Sequence, residues 1–149
     1  MSLFLILCLI ISLPGCTHSQ LQNQVCFQKH CFDVEVVTKE PEILRGLQFR
    51  KTLDLDKGML FIFKENKRYS FWMKDTYIPL DMIWMDFAKQ VVYIEYNAPP
   101  CSSDPCPTYT PTQDALYVLE INAGHAQKKG IHIGDQADFR LLDFTKQPR

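Results

Sequence analysis

The stretch LDMIWMDFAKQVVYIEY, residues 80–96, reads as two strands joined by a short polar connection. Residues 80–85 and 91–96 are rich in β-branched and aromatic side chains, which suit a pleated and buried surface. The five residues between them, Asp86, Phe87, Ala88, Lys89 and Gln90, have the length of a hairpin loop. Working outward, residues 58–63 (GMLFIF) and 69–73 (YSFWM) flank the polar residues 64–68 and predict a second hairpin. Residues 32–36 (FDVEV) alternate apolar and acidic side chains, the pattern of a half-buried strand, and residues 115–121 alternate again before a last strand over 136–142. Helical spacing is confined to two places. Ile43, Leu44 and Leu47 share a side of a short helix over 39–49, which Thr38 is placed to cap, and a single turn over 126–129 ends at Gly130. Gly46, inside the first, predicts a close backbone approach. Short strands, Gly and Pro turns and so little helix predict a mainly β fold: a compact β-sandwich or barrel with one short early helix and one helical turn.

The chain has 149 residues, 46% hydrophobic and 22% charged, enough for one sizeable core and short for two. A formal net charge of -1 removes the bulk electrostatic case for nucleic acid. The first 28 residues hold no Asp, Glu, Lys or Arg, and residues 3–13 are an almost unbroken apolar run, the size of a signal-peptide core and too short to cross about 30 Å of hydrocarbon. The run ends in Leu13, Pro14, Gly15 and Cys16, which resemble the bacterial lipobox, in which the cysteine sulfur takes a diacylglycerol; the alternative is a plain secretory signal cut nearby. The expected organisation is a signal peptide over 1–15, a polar lipid-anchored tether over 16–25 and one β-rich domain over 26–149, exported and membrane-anchored in the cell envelope, at the outer membrane of a diderm host. Without Cys8 and Cys16, four cysteines remain, spaced as Cys26-x4-Cys31 and Cys101-x4-Cys106. Short local loops favour pairing 26 with 31 and 101 with 106 in an oxidising compartment, against a four-thiolate zinc site that usually shows closer spacing.

Chemical motifs are otherwise absent. Phosphate loops, dinucleotide fingerprints, hydrolase elbows and zincin helices have no match, so no cofactor and no metal is expected. His18, His30, His125 and His132 are scattered, and isolated histidines are usually surface or packing residues.

Several blocks occur together in a recognisable order: Arg45-Gly46-Leu47 with Arg50, Gly58-Met59-Leu60-Phe61, Phe71-Trp72-Met73-Lys74-Asp75-Thr76, Pro79-Leu80-Asp81, Leu119-Glu120 with Asn122-Ala123-Gly124, and Gly134-Asp135. Over residues 34–141 the chain thereby resembles the domain of unknown function 192 family. The resemblance implies a small β-rich domain, commonly exported and often lipid-anchored, and no settled activity. Asp75 departs from the family pattern, in which Asn more often separates the Lys from the Thr.

Strand alternation puts Phe71 and Met73 on one face and Trp72 and Lys74 on the other. Trp72 beside Lys74, Thr76 and Asp81 would make an apolar platform rimmed by hydrogen-bonding groups, suited to a sugar ring or another small polar ligand. The alternative makes Trp72 core and Lys74 with Asp81 a structural ion pair. Glu120 shares its face with Leu116 and Val118, so its carboxylate points where apolar groups point and needs a partner, for which Arg45 and Arg50 are candidates. Candidate ligand-binding residues are therefore Trp72, Lys74, Thr76, Asp81, Glu120, Arg45 and Arg50. The leading expectation is an envelope lipoprotein that binds a small polar ligand or glycan. The alternatives are a structural lipoprotein docking another envelope protein, and a hydrolase using Asp81 and Glu120 as acid and base.

Overall fold

The computed structural model describes residues 22–142. The elements run β1 (Gln24–Phe27), β2 (His30–Val37), α1 (Glu40–Arg45), β3 (Lys57–Lys67), β4 (Phe71–Trp72), β5 (Leu80–Met85), β6 (Val91–Ala98), β7 (Thr108–Tyr109), β8 (Ala115–Asn122), α2 (His125–Lys128) and β9 (Ala137–Arg140). Seven strands form one sheet in the order β6-β5-β8-β3-β2-β1-β9, and β4 with β7 forms a small second one. All pairings in the large sheet are antiparallel except β2 with β3. A parallel pair cannot be joined by a tight turn, and α1 with the segment after it supplies the crossover. The sheet curls into a half-barrel until its two edges meet: Gln90 bridges Gln136, and the Ala137 amide donates to the Lys89 carbonyl at 3.0 Å. The expected mainly β fold with two short helices is the fold observed.

The hairpin of residues 80–96 forms as β5 and β6. Its connection is fixed by Asp86, whose Oδ1 accepts the amides of Ala88 and Gln90 at 2.8 and 2.9 Å. Both disulfides take the expected pairing, Cys26 with Cys31 across the β1–β2 hairpin and Cys101 with Cys106 within the loop before β7. These cysteines are therefore oxidised rather than zinc-bound, and two disulfides are the mark of an oxidising compartment. Among the described residues no helix is long and apolar enough to cross a membrane. The signal-peptide segment and Cys16 lie outside the described residues.

The structure differs from the sequence reading in three places. No hairpin forms across residues 58–73. Instead β3 continues through the polar residues to Lys67, which pairs with Ala115 of β8, while Phe71 and Trp72 pair with Tyr109 and Thr108 of β7. Residues 64–67 are solvent-exposed, and polarity there reports exposure rather than a turn. The helix is shorter than 39–49: it ends where Gly46 adopts φ 47° and ψ −133°, and its N-cap is Lys39 with no side-chain bond, so Thr38 does not cap it. Finally, Gln24 and Val25, the last residues of the expected tether, already belong to β1.

Two apolar clusters occupy the two faces of the curled sheet. Phe32, Leu60, Ile83, Leu119 and Ile121 fill the concave interior, closed by α2 and β9. Phe61, Met82, Trp84 and Val118 form the outer face, covered by Leu47, Met73 and Ile78. Because β5 is covered on both sides, all six of its residues are buried.

Candidate cleft over the outer sheet face

Glu120 lies toward the end of β8 on the outer face, with Met59 of β3 and Met82 of β5 as its cross-strand neighbours. It is 4% exposed, and its Oε2 has no hydrogen-bond partner. Burial among apolar groups penalises the ionised form and pushes its carboxyl up to about 8, with the Arg50 guanidinium opposing weakly. Neither candidate arginine bonds to it. Arg50 instead makes a two-pronged bond to Glu35 at 2.5 Å, which holds the Glu35 carboxyl below its ordinary value, while Arg45 sits exposed on α1.

Between α1 and the outer face opens a cleft of about 990 Å³, at the upper end of small-molecule sites. Ile43, Leu44 and Arg45 form one wall, the aromatic rings of Phe61, Phe63, Tyr69 and Phe71 the other, and Thr76 and Glu120 lie in it as buried polar groups. The absence of a side chain at Gly46 keeps this space open. A Cβ there would lie 3.4 Å from Cζ of Phe61 and 3.9 Å from Oε2 of Glu120, and the backbone angles are ones that glycine tolerates best. Gly58, lower in β3, is constrained differently: a Cβ would stand 2.6 Å from the Glu120 carbonyl, so only glycine lets β3 approach β8 at that point.

Trp72 stands on the cleft lining, 52% exposed, while Met73 beside it is buried. The expected alternation holds, and Trp72 is a surface residue; the buried tryptophan is Trp84. Its strand is held from both sides, by pairing with β7 and by Phe71, whose ring meets Phe61 and Trp84 edge-on at 4.9 and 5.6 Å. Thr76, 4% exposed, donates a long bond from Oγ1 to the Lys74 carbonyl at 3.4 Å.

Lys74 and Asp81 are placed elsewhere. Lys74 pairs with Asp104 at 2.7 Å, inside the loop closed by Cys101 and Cys106, and not with Asp81. Asp81 is fully buried and accepts three backbone amides, those of Asn97 and Gly124 on Oδ1 and Ala126 on Oδ2, at 2.9, 3.0 and 2.8 Å. Since Met82 is the residue opposite Glu120, Asp81 points to the other face of the sheet. The two carboxyls therefore share no cleft, which removes the geometry required for the acid-and-base hydrolase. Asp75 has φ 54°, and its carbonyl accepts the Phe49 amide at 2.7 Å. Asn and Asp are the side chains best able to adopt that left-handed conformation, so Asp75 in place of Asn preserves a turn. Sequence reasoning did not assign Gly46, Phe61, Phe63, Tyr69 or Phe71 to the site. The signal that could have found them was the expected close approach at Gly46, read together with the aromatic residues of 61–72.

The model of the DUF192 family, described as an uncharacterized ACR, matches residues 23–139. No curated protein matches the chain. Among solved structures it is similar to a protein of unknown function from Novosphingobium aromaticivorans DSM 12444, at 33% identity and a TM-score of 0.72, covering 78% of this chain and 83% of that one. It is also similar to a candidate transcription regulator from Sinorhizobium meliloti 1021, at 30% identity and a TM-score of 0.70, covering 79% of this chain and 92% of the other.

Proposed function

We propose that this chain, which belongs to the DUF192 family, is a lipid-anchored binding domain of the cell envelope whose cleft beneath α1 takes a small polar ligand such as a sugar ring. The observation that carries the reading is Glu120: a buried carboxyl with an unpartnered oxygen in an open, aromatic-walled cleft. An unsatisfied buried polar atom costs about 1–3 kcal/mol, and a ligand hydroxyl entering the cleft would supply the missing partner. Below a pH of about 8 the carboxyl is neutral, so it both donates and accepts, as a sugar hydroxyl does. Trp72 offers a half-exposed ring at the rim for stacking.

A protein-docking role has support of its own in Leu44, Phe49 and Tyr77, which are exposed, with the last two rings in edge contact at 6.3 Å. A flat apolar surface would favour that role, whereas a concavity with buried polar groups favours a small ligand. Trp72→Ala separates these properties. It should weaken sugar binding by about 1–3 kcal/mol while shifting the melting temperature by only a few degrees, because the ring is half in solvent. Titration of a sugar panel, followed calorimetrically on wild type and variant, reads the first; thermal melts read the second. A wild type that binds no sugar, or a variant as affinity-competent as wild type, would remove the platform.

The anchor is supported by Leu13, Gly15 and Cys16 at the end of an uncharged apolar run, and by disulfides that fit an oxidising compartment outside the cytoplasm. Cells fed labelled palmitate should incorporate it into the wild-type chain and not into Cys16→Ser. An unlabelled wild type would leave export standing and dismiss the anchor.

A further inference from the structure

We infer that the ligand of this cleft is acidic, a carboxylated sugar of the hexuronate kind, with its carboxylate held between the Glu120 carboxyl group and the cationic wall that includes Arg45. This inference rests on the cleft being a binding site for small polar ligands. Two further observations support it, the distribution of charge around the mouth and the burial of a Glu120 carboxyl whose Oε2 has no hydrogen-bond partner.

The ionisable side chains that line the cleft are Lys39, Glu40 and Arg45 from α1 and its cap, Lys64, Glu65 and Lys67 from β3, Tyr69, and Glu120. Lys67 and Glu65 pair with each other. Among the described residues Lys39, Arg45 and Lys64 enter no ion pair, leaving three cations against the single carboxylate of Glu40. The chain as a whole carries a formal charge of -1, so a positive mouth is a property of this place and not of the protein's general composition. Such a mouth raises the local concentration of anions and repels cations.

Inside, Glu120 lies between Met59 and Met82 with no cation bonded to it; beyond the lining, Arg50 is the charged group that acts on it, and Arg50 is committed to Glu35. Ionising Glu120 there would leave an uncompensated buried charge, so at neutral pH it carries its proton and needs an acceptor. A ligand carboxylate is the strongest acceptor a small polar molecule offers, and a bond from an acid to a carboxylate is charge-assisted. An amine would have to pass the cationic mouth and then force Glu120 to ionise. A neutral sugar would use the acid but leave the wall cations idle.

The test is calorimetric titration of the full chain in detergent with D-glucuronate, D-glucose and D-glucosamine at about pH 6.5 and about pH 9.5, either side of the Glu120 transition. Glucuronate should bind roughly tenfold tighter than glucose at the lower pH and lose about tenfold at the higher, where two carboxylates would meet. In Glu120→Gln the affinity should fall severalfold at the lower pH, because an amide is the weaker donor, and what remains should no longer decline with pH. Arg45→Ala should shrink the preference for glucuronate over glucose. Equal binding of glucuronate and glucose would overturn the acidic ligand and leave the cleft reading intact. Preference for glucosamine, abolished by Glu120→Gln, would overturn it in favour of an amine. Binding of none of the three would overturn both the acidic ligand and the sugar-cleft reading on which it rests.

Discussion

Asp81→Ala should destabilise the domain by about 3–5 kcal/mol, enough to leave a protein of ordinary stability only marginally folded. The side chain is fully buried and accepts the amides of Asn97, Gly124 and Ala126. Those three donors come from the end of β6, the turn after β8 and the start of α2, so one carboxylate on β5 ties the β8–α2 connection to the end of β6. Asn97 and Gly124 have positive φ, at 54° and 77°, and both donate their amides to Asp81 Oδ1. Alanine would leave the donors buried and unpaired, at about 1–3 kcal/mol each before water relieves some of them. Asp81→Asn should fall between alanine and wild type, since one oxygen remains but an amide NH2 replaces the other. Urea denaturation of the three proteins provides the comparison. A loss below about 1 kcal/mol for alanine would mean that the amides find other partners, and Asp81 would again be available for a role in binding.

That role for Asp81 shows where the sequence was legible and where it was not. Period-two alternation located β2 and β8, and β-branched and aromatic content located β5 and β6, because both signals record burial. The half-barrel itself was within reach as a sandwich or barrel, but the parallel β2–β3 pair was not, since nothing local in either strand specifies direction. The polar end of β3 reads as a loop because its exposed side chains carry no information about backbone pairing. The facing of Trp72 away from Met73 was legible because alternation along a strand fixes facing, and Glu120 stood out because a carboxyl sharing a face with Leu116 and Val118 contradicts its surroundings. Asp81 reads in the sequence as a rim group or a partner of Lys74. Its partners are backbone amides 16, 43 and 45 residues away, however, and backbone donors leave no trace in a sequence. The cleft was partly hidden for the same reason, since its opening depends on Gly46 closing α1 early.

The stability of the wild type should decline as pH rises from about 4.5 to about 8, and Glu120→Gln should remove much of that decline. In the folded protein the carboxyl holds its proton up to about 8, whereas in the unfolded chain it releases it near the ordinary carboxyl value of 4.5. Between those two values the native state binds more protons than the unfolded state, so the slope of unfolding free energy with pH is negative. At about 1.4 kcal/mol per pH unit, the accumulated loss approaches about 4 kcal/mol near pH 8, an upper bound because water entering the cleft would lessen it. Glutamine has nearly the same shape and no charge to desolvate. The variant should therefore match wild type near pH 5 and surpass it progressively toward pH 8, beyond which the difference levels off. Urea titrations of both proteins at about pH 5, 7 and 9 read this as a widening gap in midpoint at constant m-value. Parallel profiles would mean that Glu120 is solvated or ion-paired in solution, and the acid in the cleft would no longer be available to a ligand. A widening gap would show that the fold carries a buried carboxyl at a cost that glutamine avoids. Met59 and Met82, its cross-strand neighbours, are apolar and offer that carboxyl no hydrogen-bond partner, so the cost would be intrinsic to the site.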